Sequence, residues 1–184
     1  MKKKTSMEWD AMAGAGENVR RQMPGVTAEF FELGREAAAS GGDPARLHAF
    51  RLAAKRFRYT LELFRPLYGP GLDERIEAVR KIQSMLGDRQ DFAVLSARLR
   101  NTLMPSEALL EALRTCDEKG RGLEDRFASF WRDEFNLPGA ESRWVRYLMR
   151  RPAAPRRAAA VAAPPKTTAE PAPARVRKTA RARR

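Results

Sequence analysis

Residues 47–65 read LHAFRLAAKRFRYTLELFR. Leu47, Phe50, Ala54, Phe57, Leu61 and Phe64 recur at spacings of three and four, which sets them along one side of a helix. His48, Arg51, Lys55 and Arg58 keep the same spacing on the neighbouring arc. At about 100° per residue these four fall within roughly 80°. One helix thus carries an apolar stripe and a cationic stripe side by side. The apolar stripe is what a helical bundle buries. The cationic stripe serves no packing purpose. Like charges at helical neighbour positions repel one another, and no acid stands in the stripe before Glu62. Such a face makes physical sense when a polyanion lies along it. A solvated helix face is the plainer reading of any charge run, and the pattern alone does not separate the two.

The flanking sequence organises the rest of the chain. Asp43-Pro44 is a strong helix start, an N-cap acid followed by a first-turn proline. It opens a helix running to about Leu67, which the turn at Tyr68-Gly-Pro-Gly71 ends. Before it, a helix is predicted over Val26–Ala39 with Phe30, Phe31, Leu33 and Ala37 inward, stopped by Gly41 and Gly42. Residues 1–25 read as a flexible lead-in. A third helix is predicted from Leu72 to Leu103, carried by Leu72, Ile76, Val79, Ile82, Leu86, Leu95 and Leu99, with Gly87 marking a kink or a close helix crossing. Pro105-Ser106 opens a fourth stretch with Leu109, Leu110, Leu113, Leu123, Phe127, Phe130 and Trp131, divisible at Gly120 and Gly122 and closed by Pro138-Gly139. Trp144–Met149 reads as a last short helix. No alternating strand pattern occurs, so the fold class is all-α, an antiparallel four-helix bundle over residues 26–149.

Net charge is +13 in 184 residues, and it is unevenly placed. Residues 150–184 hold eleven Arg or Lys against the single acid Glu170, leaving only +3 for everything before them. This tail has six of the chain's twelve prolines and, beyond alanine, only Val161 and Val176 as apolar side chains. It cannot bury a core and is predicted to be disordered. The lone cysteine, Cys116, excludes an internal disulfide and a thiolate metal site within one chain, which fits a reducing cytoplasm. The lysines after Met1 are followed by Glu8, Asp10 and glycines rather than an apolar run, so no signal peptide is predicted. No window approaches the eighteen apolar residues of a membrane span.

Two signatures in this sequence resemble the CHAD domain, the conserved-histidine α-helical domain family. The family's helix pattern H-x-x-R-x-x-x-K-x-x-R-Y-x-x-E stands here as His48, Arg51, Lys55, Arg58, Tyr59 and Glu62. A second pattern, K-x-L-Q-x-x-L-G-x-x-x-D, is matched by Arg80, Ile82, Gln83, Leu86, Gly87 and Asp91. The detailed resemblance covers about residues 46–100, and flanking helices extend it loosely to 26–149. It implies binding of inorganic polyphosphate on a positively charged helical surface. CHAD proteins resemble two packed four-helix repeats, whereas this chain has room for one and is most similar to the second. The resemblance therefore implies either a half-site or a homodimer that rebuilds the groove. The Glu-x-Glu-x-Lys strand of triphosphate-processing relatives is missing from this sequence, so that activity is not implied.

Polyphosphate offers only anionic oxygens, so its reader needs donors and positive charge. Arg51 and Arg58 can give bidentate hydrogen bonds to phosphoryl oxygens, and Lys55 acts as a point charge. His48 can donate from its ring and gain charge when an anion arrives, which couples binding to proton uptake below about pH 7. Arg80, and Lys81 beside it, would widen the site from the next helix. Glu62 and Gln83 are expected to hold arginine side chains in place. Tyr59 is expected in the core with its hydroxyl at the rim, and Asp88 and Asp91 as helix-surface charge. No GxxxxGK[ST] loop and no carboxylate cluster occurs, so the expected function is non-enzymatic, with no cofactor and no metal. The rival reading is nucleic-acid binding, to DNA or RNA, led by the basic tail at 150–184, which would be steeply salt-dependent and without sequence readout. A structural adaptor is a third reading, and it leaves the charge on the second helix unexplained. The expected location is the cytoplasm, at polyphosphate granules or the nucleoid, with no membrane association.

Overall fold

The computed structural model describes residues 9–102 and 104–150. The tail expected to be disordered lies, beyond Arg150, outside the described residues. Among the described residues the fold is all-helical: α1 (Ala15–Ala38), α2 (Pro44–Tyr68), a 3-10 turn (Pro70–Leu72), α3 (Asp73–Thr102), α4 (Glu107–Phe130), a π-turn (Trp131–Phe135) and α5 (Ala140–Met149). No helix among them is long and apolar enough to cross a membrane.

The helix starts follow local chemistry. The Asp43 carboxylate accepts from the backbone N–H of Ala45 at 2.8 Å and of Arg46 at 3.4 Å, with Pro44 in the first turn. Ser106 caps α4 by accepting from the N–H of Leu109. Gly69, at a positive φ of 70°, lets the chain leave α2 and turn into α3.

Three features differ from the sequence reading. Helix α1 begins at Ala15, not near Val26, and carries Pro24 inside it. A mid-helix proline forfeits one backbone hydrogen bond. Here the extra turns bury Val19 and Met23 and are anchored by Asn18, which is wholly buried. Its Nδ2 donates to the carbonyls of Asp10 and Ala13, and its Oδ1 accepts from the N–H of Asp10. Neither Gly87 nor Gly120 and Gly122 interrupts a helix, and a Cβ at any of the three would meet nothing within 4 Å. The π-turn was not legible from spacing. Its closing bond runs from the N–H of Asn136 to the carbonyl of Trp131 at 2.7 Å, and the extra residue per turn brings Phe130, Trp131 and Phe135 all inward.

Those rings build the centre of the core. Phe30 stacks on Phe57 at 4.4 Å, and Trp131 stacks on Phe135 at 5.1 Å. Phe31, Phe50, Phe127 and Trp144 close around them. Gly34 is what admits Trp131: a Cβ there would overlap the indole ring. Helix α5 packs on α1 and ties the end of the bundle. The Tyr68 hydroxyl donates to the carbonyl of Leu148 at 2.5 Å. The far half of α3 and the first half of α4 pack on each other, away from this core.

Candidate anion-binding face

Helix α2 lies between α1 and α3, with Leu47, Phe50, Phe57, Leu61 and Phe64 buried as the apolar stripe requires. Most of its arginines are already engaged. Arg56 donates to Glu29 of α1 at 2.5 Å. Arg65 makes a two-pronged contact with Asp73 of α3 at 2.6 and 2.8 Å, and that guanidinium holds the Asp73 carboxyl below the usual carboxylate range. Arg46 sits 3.7 Å from Asp43.

The predicted stripe divides into two parts. His48 is exposed, and Arg51 and Lys55 are half-buried. Among the described residues none of the three forms an ion pair or a side-chain hydrogen bond. Arg58, one turn further on, is neutralised instead. Its Nη1 donates to Glu62 at 2.6 Å, and its side chain is only 18% exposed. Glu62 also reaches Arg80 of α3 at 3.5 Å, and Arg80 donates to Glu77 as well. The structure therefore brings Arg58, Glu62 and Arg80 together across the two helices, as a salt-linked cluster rather than as free cations. Beside it runs a groove of about 590 Å³ lined by Glu62, Arg65, Asp73, Ile76, Glu77 and Arg80. Three acids against two arginines make it a poor seat for an anion.

The remaining expected residues separate. Lys81 points away from the stripe, pairing with Glu134 at 3.2 Å and lying 4.0 Å over the Phe130 ring. Tyr59 is 52% exposed, not in the core, with the Arg58 guanidinium 4.5 Å over its ring. The correction follows from α2's rotation: Phe57 and Leu61 take the core positions, and Tyr59 falls on the outer side. Gln83 is half-buried and holds no arginine; its Nε2 is buried without a hydrogen-bond partner, as is Nε of Arg58. Two N–H donors on neighbouring helices thus lack an acceptor.

Sequence reasoning missed a second cationic cluster at the bundle end. The Tyr147 ring lies between Arg75 and Arg150, at 3.7 and 3.9 Å. Arg150 also donates to the carbonyl of Tyr68 and to the hydroxyl of Tyr147. These residues come from α3, from the end of α5 and from the α2 terminus. No spacing within one helix could announce the cluster.

The CHAD domain family model matches residues 9–100. The chain belongs to the CHAD family. The match begins earlier than the two signatures do, taking in all of α1, its anchor at Asp10 and Asn18, and α2 and α3 almost to its end. No curated protein and no solved structure matches the chain.

Proposed function

We propose that this CHAD protein binds inorganic polyphosphate, without catalysis, along the exposed face of α2. Family membership supports the ligand class, since the CHAD domain is associated with polyphosphate binding in general. The observation that carries the reading is selective neutralisation. Four arginines of α2, Arg46, Arg56, Arg58 and Arg65, each have a carboxylate partner. His48, Arg51 and Lys55 have none, and they fall in one line.

A bundle that needed α2 only for packing would gain nothing from holding two half-buried cations unpaired. An anionic chain laid along the helix satisfies both. From His48 to Arg58 the face is about 15 Å long at 1.5 Å per residue, room for several phosphates. Arg58 and Arg80 form its far end. There an arriving phosphate competes with Glu62 for both guanidiniums.

The test is polyphosphate binding by residues 1–150 with DNA as competitor, against the same chain carrying His48→Ala, Arg51→Ala and Lys55→Ala. Selective binding that the triple substitution abolishes supports the proposal. Equal binding by both proteins overturns it by placing the site elsewhere on residues 1–150, and binding of DNA and polyphosphate only when residues 151–184 are present transfers the function to the basic tail and makes nucleic acid the leading partner.

A further inference from the structure

Beyond Leu86, α3 buries only Ser96, and α4 buries Leu109, Cys116 and Gly120 before Phe127 enters the core. Over this length the two helices form an arm that covers itself on one side alone. On another side runs a groove of about 580 Å³. Phe92 and Leu95 of α3 and Leu123 of α4 give it an apolar floor, and Leu95 is 44% exposed. Asp88 and Asp91 of α3 and Lys119 and Arg126 of α4 rim it. None of these four charges makes an ion pair among the described residues, although they share one groove.

Their arrangement is informative. Both acids stand on α3 and both bases on α4, at the same level of the arm. A two-fold axis along the arm would lay α3 of one copy over α4 of another without shifting that level. Each acid pair then meets a base pair, and apolar floor meets apolar floor. We propose that a second copy of this chain docks in this groove, arm against arm. A two-fold contact must be self-complementary, and a groove rimmed by two unpaired charges of each sign meets that demand. Other occupants fit less well. The rim is net neutral, so a polyanion and the basic segment 151–184 each meet as much repulsion as attraction there, whereas a surface that also pairs two acids with two bases can oppose every charge with its opposite. This surface is separate from the α2 face and does not depend on the polyphosphate reading.

The experiment measures the mass of the full chain by sedimentation across the micromolar range. Two variants are compared with wild type: Asp88→Lys with Asp91→Lys, and Lys119→Glu with Arg126→Glu. Each variant facing its own copy sets like charges together, which weakens self-association by roughly a hundredfold. Mixed one to one, the two variants present opposite charges at every position. The expected result is a wild-type dimer, two monomeric variants and a dimer restored in the mixture. All four side chains are exposed, so the helical circular dichroism of each variant should match wild type. The milder pair Asp91→Lys and Lys119→Glu repeats the test at half the charge change. A monomeric wild type overturns the proposal, whatever else is found to occupy the groove. So does a variant that self-associates like wild type, or a mixture that stays monomeric.

Discussion

Replacing Arg51 and Lys55 together by alanine tests the functional reading most directly. Both side chains are half-buried and unpaired, so the substitutions remove two cations from the α2 face and break no internal ion pair or hydrogen bond. A hydrogen bond to a charged group contributes about 1.5–3 kcal/mol. Since both side chains keep part of their water, the lower end applies. The pair then accounts for about 3 kcal/mol, or roughly a hundredfold in Kd. Every phosphate that goes unneutralised should also flatten the dependence of log Kd on log salt by about 0.7, so by about 1.4 for the two. Fluorescence anisotropy with end-labelled polyphosphate, at several salt concentrations, reads both quantities. Arg46→Ala is the control. It removes the same charge from the same helix, but from a residue off the stripe and already beside Asp43, and should change Kd by less than about threefold. Melting temperatures should stay at the wild-type value in all three proteins. The reasoning is refuted if wild type binds and the double variant keeps its affinity and salt slope. It is equally refuted if Arg46→Ala weakens binding as much, because net charge rather than the stripe would then govern.

Three further outcomes follow from particular contacts. Gly34→Ala would drive a methyl group into the Trp131 ring; overpacking of this kind costs about 1–3 kcal/mol, read as a lowered urea midpoint, and an unchanged midpoint would contradict the packing described. Burial raises the Tyr68 hydroxyl to about 12 against the opposing field of Arg150. Because the folded value exceeds the unfolded one, its stabilising contribution is complete below about pH 10 and disappears as the pH rises through about 12. Thermal melts over that interval should fall more steeply for wild type than for Tyr68→Phe, and parallel curves would contradict this. The His48 ring can donate a hydrogen bond to a phosphoryl oxygen, so His48→Ala should weaken polyphosphate binding by about three- to tenfold. An unchanged Kd would remove His48 from the site.

The sequence spoke most clearly where one helix carried the whole signal. The apolar stripe of α2, its start at Asp43-Pro44 and its exit at Gly69 are local, and each is readable from spacing and turn chemistry. The glycines mislead, because their cost inside a helix is small against the packing that overrides it. Pro24-Gly25 hides the first half of α1 for the same reason: the compensating bonds of Asn18 reach back to Asp10, eight residues away. At the candidate site, the identity of the cations is legible and their state is not. Whether Arg58 is free or neutralised depends on Glu62, whose i,i+4 position is in plain view. It depends also on Arg80 and Glu77, brought up by the crossing of α3. Tyr59 is legible from periodicity as well: two residues from both Phe57 and Leu61, it stands about 200° from each, on the face opposite the apolar stripe.

The division between a densely aromatic core and a self-covering arm gives this chain two levels of resistance to opening. Around Phe30, Phe57, Trp131 and Phe135, ring contacts join α1, α2 and the π-turn, so no one of these elements can leave without the others. The middle of the α3–α4 arm has only its partner helix to lose. It can open while the core stays intact, a sub-global opening of the kind that amide exchange resolves. The face on α2 thus stands on the most rigid part of the molecule. The groove on the arm belongs to the part whose order is most easily raised by anything that covers it.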